Sequence, residues 1–261
     1  MSIEVGVKNG LRTLALLVLI PVPLIAQEPP PQLVQLYRER IVPGAEAAYS
    51  KVEEDAARIC ARLKCPHPYL ALEPVTGAKE VWWLNAFASE ADRNRVVQAY
   101  EQDTAVRDAL RDIAQRKKGL TADSANFVAS RRSDLCDGSS WRMTGARFFV
   151  MTVSKVDRKG AGCVFQASDG TRFAIAPVAS RSEADRLAAV AGADAKIYAV
   201  RPSWSLPADA WISADPQFWK TSPAAPEQPK EVSFPTKDGG IVYADEYGRW
   251  VREIQRFRSA P

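Results

Sequence analysis

Between Glu80 and Phe87 the chain reads EVWWLNAF, a strand with no face to give to water. Side chains alternate across a strand, so Val81, Trp83 and Phe87 point one way and Trp82, Leu84 and Ala86 the other. Both sets are apolar, which calls for a sheet buried on both sides. Asn85 is the exception. It points with Trp83, and a buried amide needs hydrogen-bond partners. Trp83 and Asn85 together are the expected lining of a ligand pocket, an apolar wall with one polar group.

The flanking pattern supplies covering layers. LVQLYRERI, Leu33 to Ile41, has strand character and ends at Pro43-Gly44. Tyr49, Val52, Ala56, Ile59 and Leu63 then recur at gaps of three and four, the apolar stripe of a helix of about five turns. Glu53, Glu54 and Asp55 fall on its polar face, where solvation is the expected role. Pro66 and Pro68 stop the helix. Strands are expected over Tyr69 to Leu72 and Glu80 to Phe87, joined at Thr76-Gly77, and Ser89 opens a second helix.

The pentapeptide SEADR occurs twice, at Ser89 to Arg93 and at Ser182 to Arg186. Each copy follows a predicted hairpin. The second hairpin runs Cys163 to Ala167, turns at Ser168-Asp169-Gly170 and returns over Thr171 to Val178, with a strand at Ile197 to Val200 beyond the helix. A shared strand-turn-strand-helix context around a repeated string points to an internal duplication. Only DRKGAG separates the strand Phe148 to Val156 from that hairpin, so the second copy has no room for a first helix.

IVPGAEAAY (Ile41 to Tyr49), EVWWLNAFASEADR (Glu80 to Arg93) and this element order resemble the dimeric α/β-barrel proteins that include the antibiotic-biosynthesis-monooxygenase and NIPSNAP-like groups. The resemblance implies an α+β fold. Tandem ferredoxin-like modules with antiparallel sheets would occupy 33–130 and 145–219, the second lacking its first helix, and two copies in one chain would let a barrel close internally. It also permits three functions: non-enzymatic binding of a small apolar ligand in a barrel pocket, a monooxygenase-like enzyme that is cofactor-free or takes haem at His67, or a structural and assembly module. Binding is the preferred reading, with no cofactor, as a monomer or homodimer.

The N-terminus carries Lys8 and Arg12, then the apolar run Leu14 to Ala26, then QEPPP, the three parts of a secretory signal peptide over 1–26. The run is shorter than the roughly 20 residues a span needs. A periplasmic or secreted protein, free of the membrane after cleavage, is expected. Export favours disulfides. Sequence proximity pairs Cys60 with Cys65 and Cys136 with Cys163, one of three connectivities that four cysteines allow. A metal site at Cys60, Cys65 and His67 matches no standard zinc spacing.

Several chemistries are excluded. The net charge of +4 is spread among interspersed acids and bases, without the basic stripe of a nucleic-acid binder. His67 is the only histidine, and nothing beside it in CPHP supplies an oriented nucleophile. No Walker loop or Gly-x-Gly-x-x-Gly is present. Seven tryptophans is a high number, and Trp204, Trp211 and Trp219 fall in one irregular segment, where packing is the expected use. Residues 221–230 read as a Pro-rich linker. Beyond it, VSFPTKDGGIVYADEYG predicts a hairpin around Asp238-Gly239-Gly240 and resembles the first hairpin of α/β-hydrolases, a truncated copy without histidine or nucleophile elbow. Residues 249–261 are not expected to continue it.

Overall fold

The computed structural model describes residues 29–138, 141–157 and 161–223, and the backbone of three further strands at Val232–Pro235, Ile241–Ala244 and Trp250–Ile254. The leader expected over 1–26 and most of the expected linker lie outside the described residues. Eight strands close one barrel. They are β1 (Leu33–Ile41), β2 (Leu70–Pro74), β3 (Glu80–Phe87), β4 (Thr121–Arg131), β5 (Phe148–Ser154), β6 (Cys163–Ala167), β7 (Arg172–Val178) and β8 (Lys196–Val200). Around the barrel the order is β1-β3-β2-β8-β5-β7-β6-β4, antiparallel throughout.

Each half of the chain supplies one contiguous sheet, β4-β1-β3-β2 and β8-β5-β7-β6, and the four strands of each half take the same relative places. Two seams join the halves. Leu72 pairs with Val200 along β2 and β8, and Ala129 with Ala167 along β4 and β6. The expected internal closure is therefore formed. β4 carries no strong strand signal because TADSANFVASR alternates small and polar residues, with only Ala129 fully buried.

Helix α1 (Glu46–Leu63) buries Tyr49, Val52 and Ala56 as the stripe predicts. Its C-terminus is turned by Lys64, a non-glycine residue at φ 56°, and the Cys65 N–H reaches back to the Cys60 carbonyl at 2.9 Å. The single helix expected after Ser89 is two, α2 (Glu90–Gln102) and α3 (Thr104–Arg116). Asp103 divides them, because its side chain accepts the Val106 N–H at 3.0 Å and caps a new helix. α3 then lays Ile113 against Val52 and Ala56 of α1.

In the second half α4 (Arg181–Ala191) covers the sheet, and Ser182 does not open it. Ser180 does. Its hydroxyl accepts the Glu183 N–H at 3.2 Å, and Glu183 reaches back to the Ala179 N–H at 3.3 Å. In the first half Ser89 accepts from Asp92 N–H and Asp92 from Ala88 N–H, both at 3.1 Å. The string at equivalent positions is thus Ala-Ser-x-x-acid, at 88–92 and 179–183, and SEADR sits two residues out of register between the halves. A short 3₁₀ turn at Pro202–Trp204, then α5 (Asp209–Ala214) and α6 (Pro216–Trp219), pack the tryptophan-rich segment, with Trp204 and Trp219 buried.

The predicted tail hairpin is present as β9 (Val232–Pro235) and β10 (Ile241–Ala244), its loop outside the described residues. Contrary to expectation, a third strand, β11 (Trp250–Ile254), pairs with β10. The sheet is β11-β10-β9, separate from the barrel's hydrogen bonding.

Glycine tolerance gives a sharp test of the β6–β7 hairpin. Gly162 adopts φ +84°, and a Cβ there would meet the Ile175 carbonyl carbon at 2.7 Å and Ala176 Cα at 2.8 Å. Gly170 at φ +81° has open space. Gly170→Ala should cost about 1–2 kcal/mol, the left-handed penalty alone, and Gly162→Ala roughly double or more, because backbone must move. Urea midpoints of the two variants decide this; equal losses would refute the close packing at Gly162.

Candidate functional site

The barrel interior is full. Trp82 of β3 reaches Phe173 of β7 across the barrel, ring centroids 6.0 Å apart, although those strands are not neighbours. Phe127 lies 6.3 Å from Trp82 and 5.1 Å from Phe173, and Tyr198 6.5 Å from Trp82. Each such aromatic pair adds about 0.5–1.5 kcal/mol beyond its buried area. The Trp82 indole N–H and the Tyr198 hydroxyl both donate to buried Glu80 Oε1, at 3.1 and 3.5 Å. Toward Phe165, the segment after β4 adds Trp141, at 5.6 Å, and Met143 to the same core.

Alternation then puts Trp83 and Asn85 on the outer face, and neither lines the barrel interior. Trp83 packs under α1 with Tyr49, Ala71 and Trp204. Asn85 lies opposite Gln35 in the register, half-buried, and Gln35 bonds Asn126 at 3.2 Å on the same outer surface. The paired tryptophans 82 and 83 cannot be assigned to inside or outside from sequence, because both faces of β3 are apolar.

Trp83 belongs instead to a buried charge network between sheet and helices. Lys117, at the end of α3, places Nζ 2.6 Å from Glu39 Oε2 of β1 and 2.6 Å from Glu53 Oε1 of α1. The first contact is a hydrogen bond and the second an ion pair. The Tyr49 hydroxyl and the Trp83 indole N–H also donate to Glu39 Oε2, at 2.6 and 3.2 Å. Lys117 lies 5.4 and 5.6 Å from the Tyr49 and Trp83 ring centres.

Glu53 was expected to be solvated, yet only 3% of its side chain is exposed. Burial pushes its carboxyl above the ordinary range, and the Lys117 ammonium opposes this without reversing it. Lys117 itself is raised: burial acts to lower it, but Glu53 and Glu39 together outweigh that. A proton on Glu53 leaves one ammonium facing one carboxylate, a neutral buried set. The sequence signal for this was Glu53 sitting one residue from Val52 at the edge of the apolar stripe.

His67 stacks on Phe87, ring centres 4.4 Å apart and 13° from parallel. Its Nε2 is buried without a partner, and burial lowers its pKa. A haem iron would have to reach that nitrogen, which is closed off from solvent while the ring lies stacked on Phe87, so the surroundings of His67 do not fit haem. Cys60 and Cys65 are bridged as expected, Cα atoms 4.8 Å apart. The helix does not unwind to allow this; the left-handed turn at Lys64 brings Cys65 back. Cys136 and Cys163, expected as a second bridge, are free thiols. Cys136 Sγ is held at 3.3 Å from both the Arg132 carbonyl and the Val164 N–H, while Cys163 is buried in the barrel core. Burial first, then the adjacent Cys136, pushes the Cys163 thiol up to about 12. Among the described residues no group of three or more His, Cys, Asp or Glu could hold a metal ion, and no helix is long and apolar enough to cross a membrane.

Outside the barrel, among the described residues, a groove of about 1890 Å³ lies between the C-terminal half of α1, the Cys60–Cys65 loop and the segment Leu206 to Pro223. Two smaller cavities, about 260 and 420 Å³, flank α4.

No family model matches the chain, and no curated protein does. Among solved structures, two NIPSNAP family proteins from Agrobacterium tumefaciens, one described as of unknown function, are similar to it. They are 19% and 18% identical over 38% and 39% of this chain and 86% and 93% of their own, each with a TM-score of 0.30. A proposed monooxygenase from Lactobacillus acidophilus is 6% identical over 65% of this chain and 92% of its own, with a TM-score of 0.37. One from Fusobacterium nucleatum is 10% identical over 68% and 93%, also at 0.37. None supports the hydrolase resemblance of the tail.

Two substitutions probe the charge network. Lys117→Met leaves two buried carboxylates without their cation and should cost about 3–5 kcal/mol, measured by urea unfolding at neutral pH. Because the folded Glu53 pKa is raised, the stability it contributes is complete below its unfolded value, about 4.3, and is lost as pH rises toward its folded value. Glu53→Gln should therefore flatten the decline in stability as pH rises above about 4.3. An unchanged slope would show that Glu53 is ionised throughout.

Proposed function

We propose that this chain is an exported, non-enzymatic binding module, in which two copies of one strand-and-helix unit close a barrel that serves as a packed scaffold. What supports the duplication is the shared strand order of the halves and the matched caps at Ser89 and Ser180. Export rests on the leader pattern and is in keeping with the Cys60–Cys65 bridge; peptide mapping of the mature N-terminus tests it, with recovery of Met1 the contrary result. Closure of both seams within one chain favours a monomer.

The single observation that carries the functional reading is the Trp82–Phe173 contact across the barrel axis. With those rings in place, a ligand has its room on the outside. A cofactor-free reaction inside the barrel would need substrate space and a reactive group there, and the aromatic filling argues against it. An assembly role is the second reading, favoured by Val190 of α4, 81% exposed where the two smaller cavities meet. Sedimentation of the chain against its Val190→Asp variant tests it, and monomers in both would remove it.

Benzene uptake tests the scaffold reading. The wild-type chain should show no saturable benzene-induced shift of the Trp82 indole resonance. Phe173→Ala should lose about 3–5 kcal/mol of stability and gain such a site, since dry apolar cavities take up benzene. Saturable binding at Trp82 in the wild type would restore the barrel pocket and sink the reading.

A further inference from the structure

The groove beside the disulfide has an uneven charge. Its floor is apolar, with Ile59, Leu206 and Ile212. Its walls carry five cations, Arg58, Arg62, Lys64, Arg116 and Lys220, against the carboxylates Asp55 and Asp209. Asp55 is already taken by Arg58 and Arg116, which both bond it. Arg62, Lys64 and Lys220 have no carboxylate partner among the described residues. Part of the positive charge answers the negative end of α1, which finishes at Leu63. That end is partly satisfied by backbone, since Lys64 and Cys65 N–H groups cap the Ala61 and Cys60 carbonyls. Lys220, on the opposite wall, is the C-cap residue of the four-residue helix α6.

The walls are fixed as well as charged. The disulfide spans Lys64 and holds its left-handed turn. The opposite wall is tied to Tyr69, the residue before β2, by paired backbone bonds with Leu206 at 2.9 and 3.0 Å, and is closed on itself by Ser222 Oγ donating to the Ser205 carbonyl at 3.3 Å. A groove held on both sides loses little freedom when filled, which favours binding.

We infer that this groove binds a monomeric amphipathic carboxylate, its hydrocarbon on the Ile59–Leu206–Ile212 floor and its head group among Arg62, Lys64 and Lys220. The inference rests on the reading that recognition lies outside the barrel. A neutral chain of equal length would gain the floor and forfeit the cations. A cationic amphiphile would be repelled.

The test is calorimetric titration of the full chain with decanoate, decanol and decyltrimethylammonium below their aggregation limits. Decanoate should bind at least about tenfold more tightly than decanol, and the cation not measurably, from the charge difference alone. Arg62→Glu, Lys64→Glu and Lys220→Glu together should weaken decanoate at least tenfold and leave decanol unchanged. Lys51→Glu, Lys79→Glu and Lys118→Glu, an equal charge change outside the groove, should leave both unchanged. Should the groove triple variant fold poorly, salt answers the same question in the native chain, because raising ionic strength from about 0.01 M to about 1 M shortens screening from ~30 to ~3 Å and should weaken decanoate selectively. Equal affinity for decanoate and decanol, equal losses in the two triple variants, or binding to anionic phosphatidylglycerol vesicles with none to monomers would overturn it. Benzene entering the barrel instead marks failure of the scaffold reading, a separate result.

Discussion

Trp82 touching Phe173 across the barrel is the contact on which the rest depends. Eight strands closed into a barrel enclose just enough room for side chains or for one small ligand, and which of the two occurs is a matter of side-chain volume. Here Trp82, Phe127, Phe173 and Tyr198 fill the axis, and Trp141 with Met143 packs toward Phe165. Interiors tolerate few voids larger than a water molecule. A filled barrel is a stiff frame, and its chemistry must then be read from its outer surface.

α1 couples the two outer features. Its N-terminal half sends Tyr49 and Glu53 into the Lys117 network, and its C-terminal half forms a wall of the cationic groove. The network sets one buried ammonium against two buried carboxylates, Glu39 and Glu53, and breaking such a set by removing its cation is costly. Lys117 ties α1, α3 and β1 together at one nitrogen.

Much of this architecture was legible. The two-faced strand Glu80–Phe87 demanded a doubly covered sheet, and the stripe Tyr49, Val52, Ala56 gave α1. β4 was not legible, because its neighbours in the barrel, rather than its own composition, make it a strand. Glu53 was misplaced because a helical wheel marks polarity and cannot see an ammonium arriving from residue 117. SEADR points to a duplication, but the capping geometry shifts the matching string to Ala-Ser-x-x-acid, since hydrogen bonds to N–H groups, and not letter identity, decide where a helix starts. Trp83 was assigned to a pocket because strand alternation separates two faces without saying which is inside.

The most direct measurement is a ¹H–¹⁵N NMR titration of the whole chain with decanoate, reading the Trp82 indole N–H and the Lys64, Cys65 and His67 backbone amides in one experiment. A packed barrel with recognition on its outer wall predicts that the three amides move together and saturate while the Trp82 indole stays fixed. Movement of the Trp82 indole with silent amides at Lys64 and Cys65 would contradict it, and would return the ligand to the barrel axis.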